Sequence, residues 1–122
     1  MKNDYNSKKT LGDFGERLAE DHLKEAGLKM IKRNYRCPKG EIDLIMKDGE
    51  VTVFAEVRTR TSKFRGYAEE SIDCKKKDKL RSTAAYFLLE QGYADWPAVR
   101  FDVVAIDWEG KEPLLRWIKS AL

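Results

Sequence analysis

Two short runs on either side of a sharp turn hold the residues best suited to chemistry. They are Gly40-Glu41-Ile42-Asp43-Leu44-Ile45 and Val53-Phe54-Ala55-Glu56-Val57-Arg58. Asp48-Gly49 between them is a strong two-residue hairpin signal. With that turn, Lys47 opposes Glu50 and Asp43 opposes Phe54. Side chains alternate faces along a strand, and opposed residues share a face. Glu41, Asp43, Phe54, Glu56 and Arg58 then emerge on one side. Ile42, Leu44, Met46, Val51, Val53, Ala55 and Val57 emerge on the other, which is wholly apolar and reads as core. In this register Glu41 faces Glu56 with Asp43 diagonal to it, and like charges so placed repel by about 1 kcal/mol per pair. A bound cation would reverse the sign. Two carboxylates completed by water and phosphate oxygens suit Mg²⁺, or Mn²⁺ in its place. Such an ion polarises a phosphate and lowers the pKa of its water, and Arg58 could stabilise charge on the attacked phosphate. On the acidic hairpin alone, ordinary ion pairs on a solvated face remain the commoner outcome.

The elements that must position these residues follow from periodicity and breakers. A first helix is expected over 11–26, ending at Gly27, with Leu11, Phe14, Leu18, Leu23 and Ala26 apolar and Ala19 and His22 in the same stripe. Glu16 falls at the edge of that stripe, within reach of the acidic site. Strands are expected over 28–36, 41–47 and 51–60, then a loop over 61–68, a long helix over 69–91 and a strand over 99–108. A short closing segment covers 113–118. The order α-β-β-β-α-β, with both helices free to pack on the sheet, reads as α/β. One domain spanning 1–122 is expected, with residues 1–9 frayed.

At these positions the chain resembles the PD-(D/E)xK nuclease superfamily, and more closely the bacterial YraN-like family, related to archaeal Holliday-junction resolvases. The resemblance runs through Gly12-Asp13-Phe14-Gly15-Glu16, Gly40 to Ile45, Phe54 to Arg60, Lys76 and Lys79, Arg100 to Val104 and Trp117-Ile118. It implies a restriction-endonuclease-like fold, a central mixed sheet with a β-hairpin flanked by helices. It also implies that Asp43 and Glu56 are the metal-binding acids and that Glu16 matches the helix glutamate of resolvase-like members. The position two after Glu56 is usually Lys in active members of the superfamily, whereas here it is Arg58; YraN-like proteins take Arg or Lys there. Arg holds a phosphate but cannot serve as a general base. The implied activity is Mg²⁺-dependent hydrolysis of phosphodiesters in structured or branched DNA. The alternative is a nucleic-acid-binding protein that keeps the fold with little or no turnover. Two-fold junction substrates would suit a homodimer.

Charge says less about the partner. The chain carries 24 Lys+Arg against 21 Asp+Glu, a net charge of +3, so its distribution matters more than its sum. Lys76 and Lys79 share a helical stripe with Ile72, Leu80, Thr83 and Phe87, and could reach over the sheet edge to a phosphate or snorkel to solvent. Arg60, Lys63 and Arg65 join them as candidate nucleic-acid contacts, and Phe64 and Tyr67 add surfaces for stacking on unpaired bases. Lys75, Lys77 and Arg81 read as a solvated face. His22, Trp96, Trp108 and Trp117 read as packing. Cys37 and Cys74 form neither a disulfide framework nor a zinc pattern. With no apolar run of membrane-spanning length, a cytoplasmic protein without a membrane partner is expected.

Overall fold

The computed structural model describes residues 7–61, 74–109 and 112–121. Helix α1 (Ser7–Glu25) is followed by strands β1 (Lys29–Cys37), β2 (Gly40–Asp48) and β3 (Val51–Thr61). Helix α2 (Cys74–Glu90), β4 (Val99–Glu109) and β5 (Glu112–Ile118) complete the order. Two elements depart from the expected bounds, and a third lies outside the described residues. Helix α1 begins at Ser7, before Leu11 and inside the stretch expected to fray. The closing segment is a full strand, paired antiparallel to β4 from Val103↔Ile118 to Glu109↔Glu112. The loop expected over 61–68, with Lys63, Phe64, Arg65 and Tyr67, lies almost wholly outside the described residues, as does Ile72.

The strands form one five-stranded sheet in the order β1-β2-β3-β4-β5. All neighbours are antiparallel except β3 and β4, which run parallel. Parallel neighbours need a crossover, and α2 lies on the connection between them. The helices cover opposite faces of the sheet. Ala19 and Leu23 of α1 pack on Leu44, Met46, Val53, Ala55, Val104 and Ile106. Leu80, Ala84, Phe87 and Leu88 of α2 pack on Tyr35, Ile42, Ile45, Phe54 and Phe101. Each fully buried Leu, Ile or Phe contributes about 1.5–3 kcal/mol, so both faces are held by apolar burial. The result is a mixed α/β fold, consistent with the restriction-endonuclease-like architecture. Among the described residues no helix is long and apolar enough to cross a membrane.

The hairpin register differs from the expected one. Asp48 opposes Val51 and Lys47 opposes Thr52, so the two turn residues are Gly49 and Glu50, and Gly49 takes a φ of 61°. A turn displaced by one residue slides the pairing by two. Ile45, not Asp43, therefore faces Phe54. A slip of two preserves the faces, because the side-chain period is two.

Ile42 breaks that period. It packs on the α2 side, whereas Leu44, two residues on, packs on the α1 side. The partner strand does the same. Arg33, paired with Leu44, reaches Glu20 of α1, while Tyr35, paired with Ile42, enters the α2 core. Between Arg33 and Tyr35 stands Asn34 with a φ of 50°, a left-handed conformation that Asn tolerates better than most residues. Both strands therefore turn over at the level of Asn34 and Asp43.

Smaller expectations also change. Phe14 is 44% exposed and lies against Trp108, with ring centroids 5.3 Å apart, rather than entering the core. His22 and Ala26 are exposed, and His22 meets only the edge of Trp117. Trp96 is 48% exposed.

Candidate metal centre and nucleic-acid interface

The pairing of β2 with β3 ends at Leu44↔Ala55. The next step in the same register would set Asp43 against Glu56. There the strands part, and Asp43 Oδ2 accepts a hydrogen bond from the backbone N–H of Val57 at 2.8 Å. A side chain thus takes over a donor that β2 would otherwise satisfy. The gap opens into a cavity of about 340 Å³ lined by Gly40, Glu41, Asp43, Glu56, Arg58 and Lys76, among others. Asp43 and Glu56 share this one cavity.

The two carboxylates have different surroundings. Glu56 Oε2 lies 3.0 Å from Arg58 Nη2 and 3.4 Å from Lys76 Nζ, and its side chain is only 9% exposed. The Arg58 contact is an ion pair without hydrogen-bond geometry, and among the described residues the buried Nε of Arg58 has no hydrogen-bond acceptor. Asp43 has the Val57 amide but no ion pair among the described residues within 4.0 Å. Burial pushes its carboxyl up to about 7, and the neighbouring charges of Glu56 and Glu16 push the same way. The Val57 hydrogen bond and Arg58 oppose that rise without cancelling it. Asp43 is the site's uncompensated acid.

Glu16 stands near the pair without lining their cavity. It lines a second cavity with Arg58 and Arg60, and a groove with Arg33 and Asn34. Burial raises its pKa, helped by Asp13, Glu41 and Glu56, while a hydrogen bond with Asn34 lowers it. Its position depends on Gly15. A Cβ on Gly15 would fall 2.1 Å from Thr59 Oγ1, so α1 approaches β3 this closely only because that residue has no side chain.

On the other wall the exposed Lys79 lines the Asp43–Glu56 cavity beside the half-buried Lys76, whereas Lys75, also exposed on the same helix, does not line it. Gly40 admits the α2 helix, since a Cβ there would meet Thr83 Oγ1 at 2.8 Å. Arg60 lies apart, in the cavity with Glu16. Lys63 and Arg65 fall outside the described residues.

Asn34 and the close packing at Gly40 were not among the expected features of the site. Asn34 carries a detectable signal, since Asn is depleted in strands and here stands inside a strand-like run.

A divalent cation fits the donor set on one condition. Among the described residues no group of three or more His, Cys, Asp or Glu could hold a metal, so the protein would offer two carboxylates and leave the remaining positions to water and phosphate oxygens. That is the coordination Mg²⁺ accepts. The half-buried Asp43 carboxylate, with no ion pair among the described residues, is the feature a cation would relieve, and Glu56 could turn from Lys76 to join it.

A family model described as "Uncharacterised protein family UPF0102" matches residues 15–106. A UPF0102 protein of Desulfitobacterium hafniense (strain Y51) is 46% identical over 116 residues, covering 93% of this chain and 96% of the relative. A UPF0102 protein of Legionella pneumophila (strain Philadelphia 1) is 41% identical over 110 residues, covering 90% and 92%. One from Stutzerimonas stutzeri (strain A1501) is 45% identical over 111 residues, with the same coverage.

Proposed function

The chain belongs to the UPF0102 family, and from that premise we propose that it is a Mg²⁺- or Mn²⁺-dependent endonuclease of the PD-(D/E)xK kind, acting on structured or branched DNA. One observation carries the reading: Asp43 and Glu56 line a single cavity with Arg58, Lys76 and Lys79 around them. Asp43 and Glu56 would hold the cation, which supplies Lewis-acid polarisation of a phosphate and a water nucleophile near neutral pH. Arg58 is held against Glu56, and its Nε has no acceptor among the described residues. A phosphate oxygen would complete that guanidinium, and Arg58 thereby positions the scissile group. Lys76 and Lys79 on the opposite wall would neutralise the flanking backbone without reading sequence. Glu16 lies close enough for its charge to raise the pKa of Asp43, and in this reading it supports the site from α1.

Purified protein with Mg²⁺ or Mn²⁺ should cut labelled junction, flap or single-stranded DNA, and Asp43→Asn and Glu56→Gln should each abolish cutting. Equal activity in wild type and both variants would contradict the reading.

One observation favours a second reading, a DNA-binding protein of the same fold with little turnover. Glu56 already has two cations at 3.0 and 3.4 Å, so its charge is compensated without a metal. In that case wild type would bind DNA with a steep salt dependence, weakened by loss of Lys76 or Lys79, and would cut nothing.

A further inference from the structure

On the far side of Arg58 from Lys76 lies the second cavity, about 350 Å³, lined by Leu11, Gly12, Glu16, Arg58, Thr59 and Arg60. No role described so far requires it. Val57 and Arg58 belong to the walls of both cavities. The two are therefore neighbouring compartments separated by the part of β3 that β2 has left. Arg58 and Arg60 outnumber Glu16, so the lining is net cationic.

Gly12 supplies an independent clue. It sits within α1, where glycine disfavours the helix relative to alanine. At Gly15 the reason is plain, because Thr59 leaves no room for a Cβ. At Gly12 a Cβ would meet nothing within 4 Å among the described residues, and no positive φ calls for glycine. Neither crowding nor backbone conformation explains it. What the missing side chain does is leave the cavity open.

We infer that this cavity is a second phosphate subsite, holding the backbone phosphate next to the one at Asp43 and Glu56 on the same nucleic-acid strand. The inference rests on the nuclease or DNA-binding reading above. The strand would cross β3 at Arg58, which contacts both phosphates' surroundings, and Arg60 would pair with the second. Gly12 forms the wall that a side chain would fill.

The test compares wild type with Gly12→Leu, Gly12→Ala, Arg60→Gln and the Gly12→Leu/Arg60→Gln double variant. Fluorescein-labelled single-stranded, flap and four-way-junction DNA serve as probes, with Ca²⁺ in place of Mg²⁺ to suppress turnover. Gly12→Leu improves helix propensity, so its melting temperature should rise by a few degrees while its affinity falls about tenfold. Its plot of log affinity against log salt should flatten by about 0.7 to 0.9, the contribution of one phosphate. Gly12→Ala, which takes less of the space, should fall between. Arg60→Gln should flatten the slope equally, and the double variant no further, because both remove the same contact. Wild-type affinity and slope in Gly12→Leu, or additive losses in the double variant, would overturn the subsite while leaving the functional reading intact. A wild type that binds none of the probes at low salt would overturn that reading and the subsite with it.

Discussion

The Val57 amide donates to Asp43 Oδ2 at 2.8 Å at the point where β2 and β3 stop pairing. This bond fixes a half-buried acid at the open end of the sheet. Asp43 has, among the described residues, no ion-pair partner, whereas the buried Glu56 has two, and that difference makes the site testable.

The first test is the dependence of metal-free stability on pH. The Asp43 carboxyl lies near 7 in the folded chain, against an ordinary value of 3.8. Between those values the folded state holds the proton more tightly than the unfolded state. This group's contribution is therefore fully present below the lower value and is lost as pH rises toward the upper one. Asp43→Asn removes the buried charge. In thermal melts without metal, the variant should gain several degrees on wild type at about pH 8 and lose most of that advantage near pH 4.

Glu20 should behave in the opposite sense. Arg33 grips it through two hydrogen bonds of 2.7 and 2.6 Å, and Lys24 adds an ion pair at 2.7 Å. The Arg33 hydrogen bond chiefly lowers its pKa to about 2 from 4.5. Its stabilisation is present above 4.5 and is lost as pH falls toward 2. Glu20→Gln should cost about 1–3 kcal/mol near neutrality. The penalty should shrink in melts taken progressively below about pH 4.5.

Gly15 and Thr59 form a steric pair. Gly15→Ala drives a methyl into Thr59 Oγ1, and overpacking of this kind costs about 1–3 kcal/mol. Thr59→Gly in the same chain should recover part of the lost melting temperature. Since Glu16 follows Gly15, any cleavage activity should fall with Gly15→Ala and return partly in the double variant.

Much of this arrangement can be read from local patterns. Alternation in 51–60 and the glycine after Asp48 mark the hairpin, and its apolar positions mark the sheet. The register differs by two from the expected one, because Asp48-Gly49 and Gly49-Glu50 are both acceptable turns and only pairing across the sheet selects one. Ile42 lies on the other face for a different reason. Strict alternation assumes a regular strand, and the left-handed Asn34 in the neighbouring strand accompanies the loss of that regularity. Phe14 has core periodicity but lies at the margin against Trp108, a distinction that helical spacing does not carry. That Glu56 would meet Lys76, from a helix beginning at Cys74, depends on the packing of α2 and has no local signature.

If Asp43 and Glu56 share one divalent cation, calorimetric titration of the purified chain with MnCl₂ and MgCl₂ will detect it without a substrate. One ion should bind per wild-type chain, tighter near pH 8 than near pH 6 as the Asp43 proton is displaced, and Asp43→Asn or Glu56→Gln variants that melt cooperatively should give no binding heat. Indistinguishable binding isotherms in wild type and both variants would contradict the shared site.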